Sequence, residues 1–159
     1  MREEDETLLR KSVDAMARAL ALYHGIFARE AVGMLGQEKG TALVENVVRQ
    51  FGLERGRRVR EQALAAGDAL DLKGMNEHYD LPLAYAWDAL KQENGSDVSF
   101  CPMADEWKRN GMVEEGKLYC AVDYAIAEGF SPDLHFSRSS SLMHEDSCCC
   151  HRYSNGFEK

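Results

Sequence analysis

The stretch from Leu118 to Tyr153, LYCAVDYAIAEGFSPDLHFSRSSSLMHEDSCCCHRY, decides the fold class, because its hydrophobic period changes partway along. From Leu118 to Glu128 the apolar residues recur at helical spacing, with Gly129 as a stop signal and Pro132 just beyond. On such a helix Cys120 and Asp123 are three apart and share a face, and Ala127 continues the row with a small side chain. Alternation then takes over: Leu134, Phe136, Arg138, Ser140 and Leu142 fall to one side, His135, Ser137, Ser139 and Ser141 to the other. The turn-rich HEDS leads to a last strand, CCCHRY, with Cys149, His151 and Tyr153 on one face and Cys148, Cys150 and Arg152 opposite. A helix followed by paired strands predicts an α+β domain.

Upstream, Leu9, Val13, Met16, Leu20, Tyr23 and Phe27 alternate spacings of four and three, which predicts a long helix from Glu4 to Val32 with one apolar stripe. The stripe suits packing within the domain or against a partner helix, so the first 32 residues are a candidate oligomerisation element. Gly33 and Gly36 punctuate the junction to a second helix, Gln37 to Gln50, and Gly52 separates that from an arginine-rich third ending near Gly67. Asn94-Gly95 is a hairpin signal between strands at 83–92 and 96–101. Pro102 ends the second strand, and Asp105 is placed to cap a short helix holding Trp107. The expected architecture is one domain over residues 1–159: a layer of three N-terminal helices, then a small antiparallel sheet of about four strands interrupted by two further helices.

Composition narrows the function. Nineteen basic residues against twenty-seven acidic ones give a net charge of −8, which disfavours phosphate backbones and argues against a nucleic-acid partner. The acidic N-terminus lacks the basic region of a signal peptide, and no apolar run approaches the length of a membrane span. A cytoplasmic protein without a membrane partner is expected. Its five cysteines are then thiols, and Cys148, Cys149 and Cys150 miss the CxxC spacing of zinc ribbons and thioredoxin-like sites.

The chemistry concentrates near the C-terminus. Cys120, His151 and Asp123 supply, in that order, a nucleophile, a base and a carboxylate to orient it, and are the candidate catalytic residues. Cys120, Cys149, His151 and Asp146 could instead hold a divalent metal such as zinc or manganese, with water completing an open site. Cys101, at the end of a strand, could project towards the same place, and Trp107 is a large core or pocket-wall residue. Each has a structural alternative: buried thiols often act as small hydrophobes, and turn aspartates usually bond their own backbone. His24, His135 and His144 are expected to be packed or solvent-facing.

The segments YHGIFAREAV, ENGSDVSFCPMADEWKRNG, LYCAVDYAIAEGF with its following Ser-Pro, and SLMHEDSCCCHRY resemble, in this order, the L-2-amino-thiazoline-4-carboxylic acid hydrolase family. The most specific parts are the pair Cys120 and Asp123 with the Gly129-Phe130 exit, and the pattern carried by Leu142, Met143, Asp146, Cys149 and Arg152. The resemblance implies a small-molecule substrate whose cyclic C=N bond takes up water at C2, opening the ring to a carbamoyl-cysteine. Cys101, Trp107 and Arg152 are the residues expected against that substrate. Glu145, Cys148 and Cys150 depart from the family pattern, which usually has glycine before the aspartate and a single terminal cysteine. The terminal strand is also similar to 4-vinyl reductase-type domains, which implies the alternative of a ligand-binding or sensor module without turnover.

Overall fold

The structure, a computed structural model, describes residues 2–156. Two long helices form its N-terminal half: α1 (Glu3–Leu35) and α2 (Gln37–Ala66), joined by the single residue Gly36 at φ 81°. That left-handed backbone is open to glycine and strained for other residues, so one residue suffices to reverse the chain. Gly67, also at φ 81°, ends α2 and donates its N–H to the carbonyls of Ala63 and Leu64.

Gly52 does not break the helix there. The expected second and third helices are one, because Gly52 and Gly56 lie one turn apart on the face of α2 that meets α6 (Val122–Phe130). A Cβ at Gly52 would come within 2.6 Å of Ala125 Cβ, and one at Gly56 within 2.7 Å of Phe130 N and against Ile126 O. The glycines are there for the closeness of two backbones, and burial by α6 offsets their low helix propensity.

The buried face of α1 also differs from the expected stripe. Ala17, Ala21, His24, Gly25, Ala28 and Ala31 face the core; Leu20 and Phe27 pack at its margins, while Met16 and Tyr23 are 74% and 70% exposed. Small side chains let α4 (Pro102–Arg109) and α5 (Val113–Tyr119) approach closely, as the 2.7 Å hydrogen bond from Trp107 Nε1 to the Ala21 carbonyl shows. Arg18 ties the same face to Asp105 and Glu106 of α4 at 2.7 and 3.3 Å.

The C-terminal half follows the expected α+β plan. After the short α3 (Leu72–Glu77), β1 (Asp88–Gln92) and β2 (Gly95–Phe100) form the Asn94-Gly95 hairpin, and a 3-10 turn takes Leu83–Tyr85 out of the predicted strand. β3 (Leu134–Arg138) and β4 (Cys149–Asn155) complete a four-stranded antiparallel sheet of order β1-β2-β4-β3. A second 3-10 turn, Leu142–His144, replaces the end of the longer strand expected before HEDS. Among the described residues no helix is long and apolar enough to cross a membrane.

Two further differences bear on the site. Cys101, not Asp105, caps α4: its Sγ accepts the Ala104 N–H at 3.4 Å, and Pro102 occupies the first helical position. The helix expected over 118–128 is split, with Cys120 closing α5 and Ala121 opening α6. Cys120 therefore stands at a helix junction and Asp123 in the first turn of the next helix.

Candidate functional site

Asp123 is the hub. Its Oδ2 accepts from Arg138 Nη1 at 3.3 Å, and the same nitrogen donates to the Cys120 carbonyl at 2.9 Å, so one guanidinium pins the α5–α6 junction to the end of β3. Arg138 is the last inward residue of the β3 alternation and pairs across the ladder with His151 of β4. Three elements thus bring Cys120, Asp123, Arg138 and His151 to one place.

Asp123 keeps 27% of its side chain open to solvent. Burial by surrounding groups nonetheless pushes its carboxyl pKa up, against the lowering by His151, Arg138 and Arg55. The carboxylate is thus crowded by its neighbours yet still reachable from solvent. Around it stand three phenols that feel its charge, Tyr79, Tyr119 and Tyr153. Burial is the main cause that raises each, Tyr119 up to about 12, so all three are neutral O–H donors at physiological pH.

The ionisation states fix what the other candidates can do. Burial first, and the charge of Asp123 second, push the Cys120 thiol well above its ordinary 9.0, with Arg138 opposing only in part. Burial lowers His151 from 6.5 in spite of Asp123, so its imidazole is neutral at pH 7. Phe136 holds that ring edge-on at a centroid distance of 5.1 Å. The resting site therefore holds a protonated thiol and a neutral base, both beside Asp123.

The other predicted residues have structural partners of their own. Cys149 is buried, its Sγ accepting the Leu142 N–H at 3.2 Å, and Asp146 accepts the Ser141 N–H at 2.8 Å, holding the HEDS turn. Cys101 Sγ accepts from Trp87 Nε1 at 3.2 Å, and burial raises its thiol pKa. Trp107 is a core residue, 1% exposed. Arg152 lies on the face of β4 opposite His151 and pairs with Asp97 at 2.8 Å. His24 is a satisfied core histidine, its Nε2 2.9 Å from the Glu115 carbonyl; His135 and His144 are exposed.

The metal-ligand set expected from the sequence does not fit as a cage. Among the described residues the one group of three potential ligands whose atoms lie within 4.8 Å of one another is Asp68, Glu77 and His78, where Asp68 and His78 already contact at 2.7 Å. Cys120, Cys149, His151 and Asp146 do not gather at that separation, and Cys149 and Asp146 are engaged with backbone N–H groups.

Sequence reasoning missed Arg138, Arg55 and the three tyrosines as parts of the site. Arg138 carried a signal, since an arginine in register with Leu134 and Phe136 on the inward face of a strand needs a buried acceptor. Arg55 was hidden among the arginines of α2. Arg57 and Arg58 pair with Glu54 on the surface, whereas Arg55 is buried, lies between the Phe51 and Tyr79 rings, and grips Asp80 through two hydrogen bonds of 2.8 and 2.6 Å.

No curated protein and no solved structure matches the chain. A family model does, over residues 14–153, a span that begins within α1, includes the split α5–α6 junction and ends within β4. By that match the chain belongs to the family described as L-2-amino-thiazoline-4-carboxylic acid hydrolase.

Proposed function

We propose that the protein is a hydrolase that opens a small cyclic amidine bearing a carboxylate, with L-2-amino-thiazoline-4-carboxylate as the substrate its family name indicates. The observation that carries this reading is the pairing of Asp123 with Arg138, which sets an acceptor of positive charge beside a donor to negative charge. Asp123 would pair with the amidinium of the substrate. Both hydrogen bonds of Arg138 leave from Nη1, so Nε and Nη2 are the donors for the carboxylate.

Proton inventory favours water over the thiol as the attacking group. Moving a proton from Cys120, held above 9.0, to His151, held below 6.5, costs more than about 3 kcal/mol before any bond forms. In the route we favour, His151 takes a proton from water as its oxygen bonds to C2, and a ring bond from C2 to sulfur or nitrogen breaks. The departing atom takes up a proton, and the net change is the addition of one water. A Cys120 nucleophile would need the bound amidinium to offset Asp123 and ease the thiol towards its anion. The free thiols support action in a reducing compartment, the cytoplasm.

The test follows the ring-opened product by mass. Asp123→Asn should lower turnover about 100-fold or more, as loss of a charge that positions the reacting group does. Cys120→Ser should keep turnover within about tenfold if water attacks directly, and lose it by orders of magnitude if the thiol does. Wild-type activity in Asp123→Asn would sink the site assignment. Tight binding of the thiazoline by the native protein with no product would instead make it a binding module.

A further inference from the structure

The three terminal cysteines divide into two kinds. Cys149 points inward and is buried, whereas Cys148 and Cys150 lie on the other side of the chain, partly exposed, with their sulfurs 3.2 Å apart. In a straight strand, residues two apart are separated by roughly 6.6 Å along the chain. The sulfurs are close because Cys148 precedes β4 in a bend clamped by Ser140. The Ser140 hydroxyl donates to the Cys148 carbonyl at 2.8 Å and accepts the Cys150 N–H at 3.3 Å, drawing the two residues together. Asp97, opposite Cys150 on β2, and Arg152, paired with Asp97, complete the polar surroundings.

We propose that Cys148 and Cys150 form an oxidisable dithiol, a site at which a hydroperoxide installs a reversible intrachain disulfide. One thiol, as its thiolate, takes the terminal oxygen of the peroxide and becomes a sulfenic acid; the alcohol or water released carries away the thiol's proton. The second sulfur displaces hydroxide from the sulfenic sulfur, and that hydroxide leaves as water with the second thiol's proton. Two thiols lose two electrons and the peroxide gains them. Closing the bond to about 2.05 Å moves the sulfurs by about 1.2 Å, which side-chain rotation can supply. Cys101 accepts from Trp87 and Ala104, the Cys120 thiol is held protonated, and Cys149 accepts the Leu142 N–H, so no other thiol has a second sulfur poised against it as this pair does. A bridge spanning Cys149 would lock the start of β4 two residues before His151, and so act on the Asp123, Arg138 and His151 cluster from outside it.

The experiment oxidises the intact native chain with stoichiometric hydrogen peroxide, then unfolds it and alkylates whatever thiols remain. Three alkyl groups are expected where the untreated protein takes five, with the bond mapped to Cys148–Cys150 and removed by dithiothreitol. Cys148→Ser and Cys150→Ser should each abolish the bridge. Ser140→Ala should slow its formation several-fold by loosening the clamp. Five alkylatable thiols after peroxide, a linkage through Cys149 or between chains, or direct passage to sulfinate would each overturn the proposal. Mass is the readout, so the outcome is independent of whether the chain hydrolyses a thiazoline.

Discussion

Replacing Gly56 with alanine should unsettle the crossing of α2 and α6 and destabilise the protein, whereas replacing Gly33 with alanine should stabilise it. A methyl at Gly56 meets backbone only: Ile126 O, Phe130 N at 2.7 Å and Gly129 C at 2.9 Å. Ordinary van der Waals contact begins near 3.4 Å, so α6 must retreat by about 0.7 Å at Phe130 and further at Ile126. Backbone cannot rotate aside as a side chain can, which puts the cost near the upper end of overpacking penalties, about 3 kcal/mol. For a domain of this size that is roughly 6–12 °C in Tm. The shift also moves the helix that carries Asp123, so turnover should fall with stability. At Gly33, inside α1, a methyl meets nothing within 4 Å, and the gain in helix propensity should stabilise by about 0.5–1 kcal/mol. Thermal unfolding followed by circular dichroism at neutral pH reads both. A Gly56→Ala protein as stable as wild type would refute the argument that this glycine exists for the helix contact.

The remaining predictions concern charge and exposure. Asp123→Asn should raise stability at neutral pH while lowering activity: its folded pKa is raised, so the wild type loses stability as pH climbs from 3.8 through that value. The variant's advantage should therefore vanish below pH 3.8, and its presence there in urea titrations would contradict the buried-carboxylate reading. The kcat/KM profile should fall on the acid side with a midpoint below 6.5 as His151 gains its proton, and His151→Gln should lose that limb. Iodoacetamide at neutral pH should label Cys148 and Cys150 long before Cys120; labelling of Cys120 first, by peptide mapping, would show that its thiol is not held protonated. If the exposed Met16 and Tyr23 of α1 meet a second copy, the double change to glutamate should yield monomers in light scattering. A native protein already monomeric at micromolar concentration would assign that face to solvent.

Local patterns determined the element types and much of the candidate site. The change of period between Glu128 and Leu134, the Asn94-Gly95 hairpin and the inward alternation of Leu134, Phe136 and Arg138 depend on neighbours a few residues away, so the chain by itself specifies a helical N-terminal half followed by an antiparallel sheet. The strand phase of His151 was legible in the same way, whereas the single helix expected to carry both Cys120 and Asp123 is split at Cys120. Tertiary contacts decided the rest. Gly52 reads locally as a break, yet α6 packs on it and the helix runs through. Met16 and Tyr23 read as part of an apolar stripe for the core or a partner helix, and within the chain a face of alanines is buried instead because only small side chains let α4 and α5 come so near. Arg55, Tyr79 and Tyr153 join Asp123 from distant points in the chain, which no local period encodes. The closeness of the Cys148 and Cys150 sulfurs likewise depends on Ser140, ten residues before Cys150, reaching across the bend. The resting protonation of Cys120 and His151 also belongs to the tertiary structure, because burial and the charges of Asp123 and Arg138 exist only once three elements have met.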